Sequence, residues 1–295
     1  MDKGISESYK KAGEIAVKAR DFAKTLLKEG ALYLEIADKV EQKIFELDGK
    51  PAFPVNISVN EIAAHHVPTF DEKLILKLGD LVKIDIGVHV EGFVADTAFS
   101  FSIGKSEENE ELIKAAEKAL DSALKLAKPN VKVCEIGSAI EKEILGFDAR
   151  PIRNLTGHMV DEFELHAGQN IPNFDNKDET ELEEAQVFAI EPFATFGEGF
   201  VTEGKPAEVF LLEARGAVRN KEILAFIEEE YVTLPFAKRW LVKKFGAMKT
   251  NLALKEAISK GLIHQYNELK EKSGKKVSQA EHTVIVQKNP EIITK

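Results

Sequence analysis

The stretch LVKIDIGVHVEGFVADTAFSF, residues 81–101, alternates apolar residues with small or polar ones on both sides of a tight turn. That two-residue period predicts an antiparallel hairpin. Two aspartates, Asp85 and Asp96, interrupt its otherwise apolar arms. A carboxylate in a buried strand is costly unless it is paired or holds a cation. With Val90-Glu91 as a two-residue loop, paired residues have numbers that sum to 181, so Asp85 faces Asp96. Directly opposed Cβ atoms lie roughly 4.5–5.5 Å apart. Two anionic carboxylates that close repel unless a cation sits between them. The spacing suits a pair of metal ions about 3.5–4 Å apart with bridging oxygens. The plain alternative is a surface hairpin in the other register, with both aspartates solvated.

The 295 residues suffice for one large domain or two smaller ones. The net charge of −10 argues against broad nucleic-acid binding. The basic run from Lys238-Arg239 to Lys243-Lys244 reads as a solvated helix face. Cys134 is the only cysteine, so no intrachain disulfide forms, which fits a reducing compartment. The N-terminal segment MDKGISESYKKAGEIAVKAR has no apolar signal core, and no apolar run approaches membrane-spanning length. The expectation is a cytoplasmic enzyme with no membrane partner.

A faded repeat runs through the chain at an offset of 100. Ile36 matches Ile136, Val40 matches Ile140, Glu41 matches Glu141 and Ile44 matches Ile144, followed by Asp48 with Asp148 and Pro51 with Pro151. The spacing of three or four is helical, and the Asp and Pro mark the helix exit. Downstream, Glu61 and His65 resemble Glu162 and His166, and LKLGDLVKID ending at Asp85 resembles LEEAQVFAIE ending at Glu191. Two related halves can join their sheets and place helices outside, converging their functional residues on a central cleft. Helices are expected over 5–30, with Gly30 as the stop, and over 34–48, 108–128 and 134–146. Strands are expected near 55–60, 81–89, 92–102, 152–158, 165–170, 186–193, 207–213 and 281–287. Residues 214–265 read as helical with no counterpart in the first half, an inserted subdomain.

Further candidates for chemistry join the aspartates. His65 lies in NEIAAHHVP, His158 ends NLTGH, His166 sits in LHAG, Glu191 lies in AIEPFAT and Glu281 in QAEHTVIV. Carboxylates with one imidazole suit divalent Mn, Fe, Co or Zn. No HExxH, cysteine-rich zinc site, GxSxG elbow or glycine-rich phosphate loop is present. His66, His89, His264 and His282 read as structural or surface residues.

The ordered set NEIAAH, KIDIGVHVEGFVADTAFS, NLTGH, LHAG, IEPFAT and EHT resembles the type II methionine aminopeptidases, pita-bread metallopeptidases, over nearly the whole chain. TLPFAKRWL, residues 233–241, resembles the helical block that marks type II. The resemblance implies an α+β pita-bread fold: two pseudo-symmetric halves with a central antiparallel sheet covered by helices. The halves span about 1–107 and 108–205 plus 268–295, around a helical insert at about 206–267. It implies two divalent metal ions held by Asp85, Asp96, His158, Glu191 and Glu281, with Asp96 and Glu281 bridging. Catalytic roles fall to His65, His166 and Glu191, and the methionine pocket to Phe53, Leu165, Phe193 and Tyr266 beside the two histidines. The implied partner is a peptide or nascent-chain N-terminus with a small second residue; the ribosome is a candidate partner, and the chain is read as a monomer. Three segments depart from the family pattern: Asn267-Glu268 where proline is usual, EFELH before LHAG, and GEGFVTEGK at 197–205. The rival readings are a proline-specific pita-bread peptidase, separable by an X-Pro peptide, and a non-catalytic binding protein of the same fold, separable by its metal content.

Overall fold

Asp2 caps the first helix, its carboxylate accepting from Gly4 N at 2.9 Å. The computed structural model describes residues 1–295. Helix α1 (Lys3–Leu26) turns Ala12, Ala16, Ala19 and Ala23 inward, small residues that let it lie close against the sheet. The helix stops at Leu26, short of Gly30. Gly30 instead adopts a left-handed conformation (φ 79°) with its N–H bonded to Leu76 O, shaping the turn into α2 (Tyr33–Glu46). Then follow β1 (Lys50–Pro51), β2 (Asn56–Val59), β3 (Ile62–Ala64), β4 (Leu81–Val90) and β5 (Phe93–Ser102).

The second half repeats this order. Helix α3 (Glu107–Leu124) is capped by Ser106 and carries Glu107, Glu108 and Glu110 in its first turn, where carboxylates meet the positive end of the helix dipole. It is followed by α4 (Val133–Leu145), β6 (Arg150–Pro151), β7 (Thr156–Met159), β8 (Asn170–Pro172), β9 (Val187–Ile190) and β10 (Phe193–Thr195). The offset of 100 extends to backbone detail. Asp48 and Asp148 both take left-handed φ, and so do Gly30 and Asn130. Gly30 N bonds Leu76 O, and Asn130 N bonds Leu182 O, each at 2.8 Å. Ala16, Ala19 and Ala23 of α1 recur as the buried Ala116, Ala119 and Ala123 of α3.

The last part of the chain holds β11 (Val201–Leu212), α5 (Lys221–Glu230), β12 (Phe236–Ala237), α6 (Lys238–Phe245), α7 (Ala247–Ser259), β13 (Ile263–Glu271), β14 (Val277–Gln279), β15 (His282–Ile285) and β16 (Glu291–Ile292). Helices α5 to α7 gather a separate apolar cluster, including Ile223, Ile227, Phe236, Leu241 and Leu254. A buried polar junction ties α6 to α2: Glu41 accepts from the wholly buried Arg239 and, at 2.8 Å, from Trp240 Nε1.

Every ladder is antiparallel, as expected. The sheet is built from several ladders, and the halves meet along a seam where β5 runs beside β14 and β15. There Glu281 N donates to Ala98 O at 2.9 Å and Gln279 N to Ser100 Oγ at 2.8 Å. No helix is long and apolar enough to cross a membrane.

Four local expectations are corrected. The hairpin pairs Val90 with Phe93, so the loop is Glu91-Gly92 and paired numbers sum to 183. Both loop residues have positive φ (53° and 94°), the type I′ geometry, which a β-branched Val90 resists and Gly92 accepts. Residues 165–169 are irregular, with the strand starting at Asn170. The expected strand near 152–158 is reduced to β7 from Thr156, with residues 152–155 turning between β6 and β7. The block read as helical ends at Ser259, and β13 begins at Ile263. Strand β13 and the first half of β11 escaped, the expected strand at 207–213 covering only the rest of β11, because both stretches are widely exposed and their polar residues, such as VTEGKP, break the in–out alternation.

Candidate metal centre and substrate cleft

The corrected register moves Asp85 opposite Ala98 and Asp96 opposite Gly87. A shift of two residues keeps both aspartates on one face of the hairpin as diagonal neighbours. That face floors a cavity of about 230 Å³. All eleven residues singled out from the sequence line it: Phe53, His65, Asp85, Asp96, His158, Leu165, His166, Glu191, Phe193, Tyr266 and Glu281. They come from both halves and from β13. His65 follows β3, His158 lies on β7, Glu191 sits between β9 and β10, and Glu281 lies between β14 and β15.

The polar end of the cavity concentrates negative charge without a basic side chain to balance it. Asp96, His158 and Glu281 are buried, with donor atoms all within 4.8 Å of one another. His158 Nε2 stands 3.8 Å from Asp96 Oδ2 and 3.8 Å from Glu191 Oε1. That is beyond hydrogen-bond reach. It matches donors that each lie about 2 Å from one shared ion. Asp85 Oδ1, Asp96 Oδ1 and Glu281 Oε2 are buried with no hydrogen-bond partner. Burial pushes the Asp85 carboxyl up to about 7. Burial, then the neighbouring carboxylates, raises Asp96, Glu191 and Glu281 well above the ordinary range. Burial also drives His158 down to about 3, leaving a neutral imidazole able to ligate. Four carboxyls and a neutral imidazole with orphaned oxygens form a donor set for hard divalent cations. The residues present therefore fit the metal ions that the sequence implies.

The surroundings hold these groups in place, and several of them went unnoticed in the sequence. Thr283 Oγ accepts from Asp96 N and donates to Asp96 O, both at 2.7 Å. Thr97 Oγ donates to Glu281 O at 2.9 Å, and Gln279 Nε2 donates to Glu191 Oε2 at 3.0 Å. Gln279 and Thr283 flank Glu281 at two residues on either side, a spacing that puts them on its face of an extended chain and that was available as a signal.

Two further histidines face the cavity in defined states. His65 Nδ1 lies 3.1 Å from Asn267 O, and a carbonyl only accepts, so Nδ1 carries the proton. Burial lowers the ring to about 4, so His65 is neutral and Nε2 is a bare acceptor. His166 packs edge-on against His158 with ring centroids 4.5 Å apart, and burial lowers it too. Most of the remaining wall is apolar, from Phe53, Leu155, Leu165, Phe193, Val209 and Tyr266, beside the polar Asn56, Asn154 and Thr156. Of the histidines read as structural, His89 accepts from Gly92 N within the hairpin and His282 meets Thr294, while His66 sits in a buried pair with Glu268.

Known proteins share this sequence and this architecture. The sequence profile of Metallopeptidase family M24 matches residues 7–234. The methionine aminopeptidase of Pyrococcus horikoshii is 45% identical over 287 residues, covering 96% of this chain and 97% of that protein. The chain belongs to metallopeptidase family M24, among the methionine aminopeptidases. Among solved structures, a thermophilic Arx1 superposes on this M24 chain with a TM-score of 0.87 at 17% identity, covering 99% of this chain and 91% of that one. The methionine aminopeptidase of Thermotoga maritima superposes with a TM-score of 0.74 at 22% identity, covering 100% and 98%. The M24 chain has the pita-bread fold of a metallopeptidase, and its buried Asp96–His158–Glu281 cluster could hold a divalent metal ion.

Proposed function

We propose that this M24 peptidase removes the N-terminal methionine from peptides and nascent proteins whose second residue is small. Asp85, Asp96, His158, Glu191 and Glu281 would hold two divalent ions. The observation that carries the reading is one cavity joining an orphaned carboxylate cluster to an apolar wall. When bound, such ions acidify a water between them and stabilise the charge that develops at the scissile carbonyl.

The side chains supply the rest. Burial and the neighbouring Asp85 raise the Glu191 carboxyl, and with one oxygen occupied by Gln279 its other oxygen takes a proton from the water and passes it to the leaving amine. His65 Nε2 accepts from the scissile amide N–H, the only role its tautomer allows. His166 donates to a substrate carbonyl. The free amine of the substrate docks beside Asp85, which restricts cleavage to the first bond. Phe53, Leu165, Phe193 and Tyr266 enclose the thioether, whose sulfur gains from aromatic neighbours.

Parallel assays on Met-Ala-Ser and Ala-Pro peptides test the substrate class. Release of methionine with no cleavage of Ala-Pro is the expected result. Cleavage of Ala-Pro alone assigns the same centre to a proline-specific peptidase instead.

A further inference from the structure

Two consecutive histidines grip two consecutive residues of β13. His65 bonds the carbonyl of Asn267, and His66 Nδ1 donates to Glu268 Oε1 at 2.6 Å, with His66 and Glu268 both buried. Asn267-Glu268 is the dipeptide that departs from the family pattern, and two residues of the unusual 197–205 segment complete the arrangement. Glu203 Oε2 accepts from Asn267 Nδ2 at 2.9 Å, and Lys205 Nζ lies 3.4 Å from Glu268 Oε1.

The backbone alone does not fix this part of β13. On one side the ladder to β11 is irregular between Glu203 and Phe210, and Asn267 faces Pro206, which has no N–H to give. On the other side the pairing with β3 reaches only Leu269 and Lys270. The carbonyl that sets the His65 tautomer is therefore located by side chains. His65 also sits at φ 68°, a left-handed backbone that an ordinary residue keeps only when its surroundings hold it. His66 supplies that hold from the next position, through Glu268 and through its own carbonyl, which accepts from Ile57 N at 2.8 Å.

We infer that Glu268 is a positioning residue for His65. Through His66 and the Asn267 carbonyl it locks the strained turn and the Nδ1–H tautomer, so that Nε2 is presented to the substrate. This inference rests on reading the cavity as the aminopeptidase centre.

The test compares metal-loaded wild-type protein with Glu268→Leu and Glu268→Gln on Met-Ala-Ser. Displacement of a positioned group predicts a loss in kcat of about 10- to 50-fold for Glu268→Leu, with KM changed less than roughly threefold and bound metal unchanged. Glu268→Gln keeps an oxygen for His66 and recovers kcat to within roughly threefold of wild type. The ¹⁵N spectrum of His65 reads the effect without the reaction: one Nδ1–H form in wild type, mixed tautomers in Glu268→Leu. If Glu268→Leu does not fold, His66→Phe removes the same pair from its other partner and predicts the same tautomer mixing. Wild-type kcat and an unchanged His65 spectrum in the variant that folds overturn the inference. A wild-type protein that releases no methionine overturns the functional reading instead, and the spectrum still decides the positioning.

Discussion

Asp96 is held through its backbone as well as by the cluster around its carboxyl. Its N–H and carbonyl both bond Thr283, and its carboxyl stands beside Asp85, His158 and Glu281. If Asp96 is shared by two ions, as the family resemblance implies, its removal should release both. Asp96→Ala is expected to lose bound metal on gel filtration and at least about 100-fold in activity, by the scale set for metal-assisted and acid–base steps. His166→Ala should lose a comparable, about 100-fold, factor in rate while elemental analysis finds its metal content unchanged. Loss of metal from the His166 variant would make that histidine a ligand. At this scale the sequence was highly legible, because a carboxylate inside an apolar strand such as KIDIG or a glutamate before Pro192 is expensive and therefore conspicuous. Asn267 and Glu268 were visible as a departure but not interpretable. Their partners Glu203 and Lys205 lie more than sixty residues away, in the polar first half of β11 that leaves no apolar trace.

The hairpin of β4 and β5 sets the site through its register. Its turn chemistry, more than its apolar pattern, decides that register: Gly92 takes the second left-handed position, and Val90 is thereby excluded from the loop. The alternation alone tolerates a slip of two residues, since every side chain keeps its face. The same register puts Gly87 opposite Asp96, and Phe53 fills the space that a side chain would take. A Cβ at Gly87 would lie 2.2 Å from the Phe53 ring. Gly87→Ala should therefore displace Phe53 within the cavity and lower kcat/KM for methionyl peptides by about 10-fold. The stability loss should stay within about 1–3 kcal/mol, as for overpacking elsewhere. Steady-state kinetics beside thermal melts check both figures, and unchanged kinetics would remove Phe53 from the methionine pocket. Helices were the most legible elements, since α1 to α4 carry clear buried stripes at helical spacing.

At the scale of the molecule, the two halves bring Asp85 and Asp96 together with His158, Glu191 and Glu281 across one seam. The duplication was readable from the offset of 100, and the left-handed residues at 48 and 148 give it a backbone counterpart. The cluster makes stability depend on metal and pH together. Asp85 has a folded-state carboxyl raised to about 7 and its three carboxylate neighbours are raised as well, so the metal-free folded protein binds more protons than the unfolded chain. Their contribution is fully present below the unfolded carboxylate range and is lost as pH rises through the folded value. The carboxyl part alone removes on the order of 2 kcal/mol between pH 5 and pH 8, while the neutral buried His65 and His158 add stability as pH rises through the unfolded imidazole range. Protein loaded with Mn²⁺ should show little of that slope, since the ions hold the carboxyls ionised, and metal uptake near pH 6 should release protons. Denaturant melts across that range measure the slope. Melts of metal-free Asp85→Asn isolate the carboxyl part, and a pH slope identical to that of wild type would contradict the arrangement of buried carboxyls.

The most direct test of the account is one titration. Chelated protein is reloaded stepwise with Mn²⁺ while bound metal and methionine released from Met-Ala-Ser are measured on the same samples. The account predicts no release without metal and release that climbs as the cluster fills. Methionine released at full rate by metal-free protein, or none released by fully loaded protein, would contradict it.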